Sequence, residues 1–252
     1  MMNQFHDYDV LFNHLKSFEQ RYDGWEFSYQ PIEPFTFPVN KDKFLEYTEY
    51  PTNLNKLLPH LTELVSKRKS TLTESFSSSL SKDELLAILA VSLGNNGTIR
   101  KLNEHYNNHI LHLRNYPSGG AMYSVKAYLY IHNVQGCDEG IYFADGEGLK
   151  LVNEVHQFDT VKELFPIVFS NQVKVTVFLI ADFRYTFPKY GYLALNLSQL
   201  EAGHICQNMQ LATTELEKDS LPVGGFYSDR ILNFLGFTHD KYKHCIYTFL
   251  IG

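Results

Sequence analysis

The sequence predicts an α+β fold built on a mixed or antiparallel central sheet flanked by helices. Three observations point there. Apolar runs of strand length recur at Ala127 to Asn133, Gly140 to Ala144, Lys174 to Ala181 and Tyr242 to Ile251. Three helix patterns stand among them, at Ser81 to Gly94, at residues 200 to 218 and at Ser228 to Leu235. The two kinds of element interleave without a regular strand–helix–strand rhythm, which argues against a parallel doubly wound sheet.

The first of these helices carries its own signals. Ser81 stands at the cap position, and Glu84 three residues on completes a capping box. Leu85, Leu86, Ile88, Leu89 and Leu93 supply the apolar face, and Gly94 stops the helix. The last helix ends at Gly236 in the same way. Leu57 to Lys67 reads as a helix or a helix end. Ahead of it, residues 1–60 differ in character. Asp9 to Tyr22 suits a short amphipathic helix, with Val10, Leu11, Leu15 and Phe18 apolar. Trp25 to Pro38 holds three prolines among aromatics, which forbids regular structure and suits an extended arm laid over a neighbouring surface. The chain therefore divides into an N-terminal arm, 1–60, and a main domain, 61–252.

Composition sets limits. With 44% hydrophobic residues, the chain can bury a core and is not a disordered segment. Its formal net charge of −6 provides no basic field for phosphate backbones, so nucleic acid is not an expected partner. Three cysteines, Cys137, Cys206 and Cys245, form no close pair and no Cys-x-x-Cys, which suits a reducing compartment and gives no zinc pattern. Met1 to Glu19 lacks a signal-type apolar stretch, and Val173 to Ala181 is too short to span a bilayer. The expectation is a soluble cytoplasmic protein with no membrane partner.

The richest segment for chemistry is Arg114-Asn115-Tyr116-Pro117-Ser118-Gly119-Gly120-Ala121-Met122-Tyr123. A turn ending in two glycines lets backbone N–H groups approach a flat or anionic ligand closely. The same residues also suit an ordinary turn before a strand. A second glycine pair, Gly224-Gly225, follows Pro222-Val223. Arg68 and Ser70 provide a planar fork of donors beside a hydroxyl, a combination that binds phosphate or a ribityl chain and is also common on surfaces. Lys189 and Tyr190 follow Pro188 in an aromatic stretch. Partial desolvation there would favour an uncharged amine able to act as a base, with Tyr190 relaying a proton; a solvated lysine in a Tyr-rich loop is the plainer reading. Glu201, His204 and Asn208 share a helix face but lack a third metal ligand, so a buried or interfacial polar set is expected and no metal site. No dinucleotide fingerprint, Walker A loop or nucleophile elbow is present.

Taken in order, these segments resemble the nitroreductase-like flavoproteins, and within them the SagB-type or McbC-like azoline dehydrogenases. The resemblance covers about residues 60 to 252. Its carriers are Arg68-Lys69-Ser70, the Ser81 helix, Arg114 with Tyr116-Pro117-Ser118-Gly119-Gly120-Ala121-Met122-Tyr123, and Gly140-Ile141-Tyr142. Lys189-Tyr190, Glu201-Ala202-Gly203-His204 with Gln207-Asn208, and Val223-Gly224-Gly225-Phe226 continue the series. The resemblance implies a dimeric α+β sandwich with FMN at the dimer interface. It assigns Arg68, Ser70, Arg114, Pro117, Ser118, Gly119, Gly120, Gln207, Gly224 and Gly225 to the cofactor, and Lys189 and Tyr190 to catalysis. One departure stands out. After Ser70 such proteins often carry further arginines, whereas this chain has Thr71-Leu72-Thr73, so Arg100, Lys101 or Arg114 would have to serve.

The implied activity is oxidation of thiazoline or oxazoline rings to thiazole or oxazole in a ribosomally made peptide. The implied partners are that peptide, a second copy of the chain, and cyclodehydratase subunits docking on residues 1–60. Two other readings share the sequence. One is an NAD(P)H-dependent flavin reductase acting on nitro, quinone or dehydroamino-acid substrates. The other is a non-catalytic scaffold of a peptide-modifying complex, which would purify without FMN.

Overall fold

The computed structural model describes residues 58–101 and 110–252, together with Asp9, Val10, Asn13 and Leu15 in helical conformation. The arm expected over residues 1–60, including the run from Trp25 to Pro38, otherwise lies outside the described residues.

Helix α1 (Pro59–Lys67) leads through a single 3-10 turn at Thr73–Ser75 to α2 (Lys82–Leu93). The capping box at Ser81 forms as expected: the Glu84 N–H donates to Ser81 Oγ at 3.3 Å, and the Ser81 N–H donates to Glu84 Oε2 at 2.8 Å. A hairpin of β1 (Asn95–Lys101) and β2 (Ile110–Arg114) follows. After a 3-10 turn at Gly119–Ala121 come β3 (Val125–Ile131), β4 (Gly140–Ala144) and β5 (Leu149–Asn153). A short α3 (Phe158–Lys162) precedes β6 (Val175–Asp182), α4 (Phe183–Tyr190) and the long α5 (Leu193–Glu215). The chain closes with β7 (Ser220–Val223), α6 (Ser228–Phe234) and β8 (Lys243–Ile251).

The main sheet has six strands in the order β5-β4-β3-β6-β8-β7, and every pairing in it is antiparallel. Its centre is apolar on both faces, which is why β6 reads as an almost unbroken run, Val-Thr-Val-Phe-Leu-Ile-Ala. Successive side chains point to opposite faces. Val125, Ala127, Leu129 and Ile131 therefore join Val175, Val177, Leu179, Phe249 and Ile251 under α2 and α5. Tyr130, Phe178, Ile180, Cys245 and Leu250 face the other way, toward α3 and α6. Helices cover both faces of a largely antiparallel sheet, as the composition and element pattern indicated.

Two boundaries move. The helix expected over residues 200 to 218 runs from Leu193 to Glu215, its cap Tyr192 following Gly191, whose φ of 54° ends α4. Lys189 and Tyr190, read above as loop residues, form the last turn of α4. Pro188 is tolerated there because so short a helix has few internal bonds for a missing N–H to break.

Candidate active site

The sheet presents one end to the segment between Tyr116 and Val125, and α5 crosses beneath it. This segment is held in a demanding conformation. Of the four residues Gly120 to Tyr123, three have left-handed φ: Gly120 at 60°, Ala121 at 53° and Tyr123 at 48°. Alanine and tyrosine adopt this region at a cost, so surrounding bonds must enforce it. Glu201 of α5 bonds both ends of the segment. Its Oε2 accepts from Ser118 Oγ at 2.6 Å, and its Oε1 accepts from the Val125 N–H at 2.9 Å. Ser118 Oγ in turn accepts from the Tyr123 N–H at 2.8 Å. Burial raises the Glu201 carboxyl above its ordinary value, against the opposing pull of the hydrogen bonds from Ser118 and Val125.

Arg114 braces the same segment. Its guanidinium lies 5.0 Å from the Tyr123 ring centroid and donates to Tyr116 Oη at 3.1 Å. Tyr116 is buried, and burial pushes its hydroxyl up to about 12 despite the Arg114 charge. Lys126 donates to the Tyr123 carbonyl at 2.8 Å. Burial and then the Arg114 charge hold its ammonium below the ordinary lysine value, with Glu201 pulling the other way.

At the apex of the turn, Gly120 lies against the end of α4. A side chain at Gly120 would overlap the Tyr190 hydroxyl and stand 3.3 Å from Lys189 Nζ. Gly119 is equally tight: a Cβ there would sit 2.9 Å from a Leu197 methyl. Among the described residues, no acceptor bonds the N–H groups of Gly119 or Gly120. Lys189 Nζ lies 5.0 Å from the Tyr190 ring centroid, and the lysine is exposed in the single chain. The desolvation expected from its aromatic company is thus not supplied by those neighbours alone.

The remaining sequence candidates lie further off. Ser70 Oγ accepts from Gln210 Nε2 at 3.2 Å, which puts Arg68 and Ser70 beside α5 nine residues beyond Glu201. At 1.5 Å per residue that is about 14 Å along the helix. Gln207 is exposed, one turn before Gln210. Gly224 and Gly225 follow β7, three strand spacings from β3, or roughly 14 Å across the sheet. Pro117 is exposed beside Ser118, and Arg100 and Lys101 are exposed on β1. The expected polar set on α5 divides. Glu201 is buried, Asn208 donates to the Asn115 carbonyl at 3.2 Å, and His204 is exposed. Residues seven apart align on a helix, whereas the residue at i+3 lies about 60° to one side, enough to turn His204 outward. No group of three metal-ligating side chains occurs among the described residues.

Tyr116, Tyr123 and Glu201 stand in the segments that carry the resemblance, yet neither they nor Lys126 are assigned to the site by it. Glu201 carried a signal, as a lone carboxylate between Leu200 and Ala202 in a helix with a buried face. A charge in that position needs partners from another element.

Comparison with known proteins identifies the class. Residues 76–252 match the nitroreductase family, and the chain belongs to it. It is a family of oxidoreductases whose members typically bind flavin. A provisionally named nitroreductase of Methanocaldococcus jannaschii is 26% identical over 122 residues, 47% of this chain and 62% of that protein. Among solved structures, a provisionally named nitroreductase from Anabaena variabilis superposes with a TM-score of 0.62 at 22% identity. That match covers 77% of this chain but 38% of the Anabaena chain. The E. coli microcin synthetase complex McbBCD, solved with truncated pro-MccB17 bound, contains a chain matching with a TM-score of 0.59 at 14% identity. There, 92% of this chain and 79% of the other are covered. These structural likenesses establish the shared fold.

The residues present fit a flavin. The Gly120 backbone lies beside an amine and a phenol, and among the described residues no acceptor bonds its N–H or that of Gly119. Arg68 carries a guanidinium with no ion pair among the described residues, a suitable donor for a phosphate.

Proposed function

We propose that this protein is an FMN-dependent azoline dehydrogenase that converts thiazoline or oxazoline rings in a ribosomally made peptide to thiazole or oxazole. The observation that carries the reading is the approach of Tyr190 and Lys189 to the Gly120 backbone. It joins the open glycine turn to the amine–phenol pair, two features 69 residues apart in the chain (189 − 120 = 69).

Aromatising an azoline removes a proton from ring carbon and a hydride. Bound FMN would supply the hydride acceptor, which no side chain provides, with O₂ as the final electron acceptor. The protein's own task is the proton. Lys189 is the base that removes it from the carbon next to the peptide carbonyl. Tyr190 Oη, close to the Gly120 backbone, orients the amine and relays the proton. The backbone N–H groups of Gly119 and Gly120 would hold the flavin ring system. Arg68 and Ser70, and Gly224 and Gly225, would engage it from other quarters of the fold.

A homodimer accords with the outward stripe of α5, where Leu193 is 50% and Leu200 60% exposed and Gly203 presents no side chain. A cyclodehydratase partner accords with the fold shared with a chain of the McbBCD synthetase complex. The test is Lys189→Ala. It is expected to retain FMN at the wild-type ratio while azole formation from an azoline peptide falls at least about a hundredfold, the scale of general-base catalysis. Normal turnover with flavin retained would remove Lys189 from the mechanism.

A second reading follows from the names of the Methanocaldococcus and Anabaena relatives: an NAD(P)H-dependent nitroreductase. Anaerobic mixing with NADPH separates the two. Rapid bleaching of the flavin supports the reductase, and no bleaching supports the dehydrogenase.

A further inference from the structure

One buried charge has a larger part than ligand contact would give it. Glu201 is 2% exposed, yet neither carboxylate oxygen faces the glycine apex. Its two oxygens take the two ends of one segment. Oε2 holds Ser118 and Oε1 holds the Val125 N–H, with Ser124 Oγ at 3.4 Å from Oε2. Between those ends lie the three left-handed residues, and at their start Gly120 touches the α4 pair.

We infer that Glu201 is a positioning residue: through Ser118 and Val125 it fixes the Gly119–Gly120 backbone against Lys189 and Tyr190. Its catalytic consequence rests on the dehydrogenase reading above; its effect on the turn does not. A strained turn left to itself relaxes toward ordinary backbone angles. Here the relaxation would carry Gly120 away from the Tyr190 hydroxyl and leave the relay out of register with the amine. The Ser118 hydroxyl donates to Glu201 and accepts from Tyr123, so it serves as the strut between carboxylate and turn. Ser124 and Ser198, whose hydroxyls are 3.1 Å apart, close the polar pocket around Glu201. Lys126 supplies the nearby positive charge.

The test uses the full-length, flavin-loaded protein and three variants: Ser118→Ala, Glu201→Ala and the pair combined. Hydrogen–deuterium exchange of fragments spanning residues 118–125 is expected to accelerate roughly ten- to a hundredfold in each single variant, each of which loses two hydrogen bonds of the segment, the shared Ser118–Glu201 bond among them. Exchange in β6 and β8 should stay unchanged. The double variant should accelerate exchange by less than the two single effects multiplied together, because both substitutions break the Ser118–Glu201 bond that they share. Glu201→Gln, which keeps an acceptor for the Val125 N–H, should recover much of the protection. On an azoline peptide, kcat is expected to fall roughly tenfold with KM little changed, as for a group acting only on the reacting geometry. Ser118→Ala keeps the buried carboxylate and its bond to Val125, so it carries the test if Glu201→Ala does not fold. Wild-type exchange at 118–125 in Ser118→Ala, additive effects in the double variant, or a loosened turn with undiminished kcat would each overturn the inference. If the wild-type protein binds flavin but oxidises no azoline, the dehydrogenase reading fails, and the exchange data still decide the role of Glu201.

Discussion

At the scale of single residues, the candidate site depends on how close backbone and side chain come. Gly120 needs to be glycine for two separate reasons, its φ of 60° and the Tyr190 hydroxyl over its α-carbon. Gly120→Ala would cost about 1–2 kcal/mol for the left-handed backbone. The methyl must displace Tyr190, whose ring packs against the cluster around Phe183 and Phe187. The expected result is a melting point lowered by a few degrees and azoline turnover lowered more than tenfold, read by calorimetry and mass spectrometry. Full turnover in that variant would show that the contact with Tyr190 carries no function. Residue chemistry was the least legible level of the sequence. Ser118, Gly119, Gly120, Lys189 and Tyr190 were marked by residue type and by family resemblance, but nothing local said that α4 folds back onto the turn. The role of Glu201 was hidden because its partners, Ser118 and Val125, are more than seventy residues upstream (201 − 125 = 76).

At the scale of elements, helices with complete end signals were legible and short exposed strands were not. Ser81 and Glu84 announced α2, and Gly236 stands just beyond the end of α6. Strand β1, Asn-Asn-Gly-Thr-Ile-Arg-Lys, is exposed throughout and has no apolar alternation to detect. Strand β7 contains Pro222, which usually argues against a strand. It is tolerated because β7 is the edge of the sheet and pairs only with β8. Helix α4 was missed because its aromatics favour strands and its proline argues against any helix. The capping box gives the element-scale prediction. Ser81→Ala removes the acceptor for the Glu84 N–H and should cost about 1 kcal/mol, or roughly 2–4 °C in melting temperature. An unchanged melting temperature would show that packing of α2 on α5 makes the cap redundant. Glu84 itself is drawn down to about 2, first by Lys218 and then by the Ser81 backbone. A depressed carboxyl contributes its stability above its unfolded value and loses it as pH falls through the folded one. The benefit of Glu84 should therefore persist at neutral pH and fade only in strong acid.

At the scale of the whole molecule, the antiparallel sheet does two things. It buries apolar side chains on both faces, which accounts for stability. It also brings the turn before β3 and the end of α4 after β6 to one end of neighbouring strands, because Val125 pairs with Ala181. The fold class was readable from element pattern alone, since a sheet apolar on both faces demands covering helices. The proposed homodimer belongs to this scale too. The α5 stripe of Leu193 and Leu200 leaves apolar area in water and leaves Lys189 exposed. Leu200→Asp is expected to yield monomers in sedimentation velocity and to release flavin; a wild-type sedimentation coefficient with flavin retained would exclude this face as the interface. The account as a whole stands or falls on one measurement: the full-length protein, purified and tested for bound FMN, is incubated in air with an azoline-containing peptide, and the product is weighed. The account predicts a yellow protein and a peptide lighter by two hydrogens per ring, formed by the wild type and not by Lys189→Ala. A flavin-loaded protein that leaves the azoline mass unchanged would contradict it.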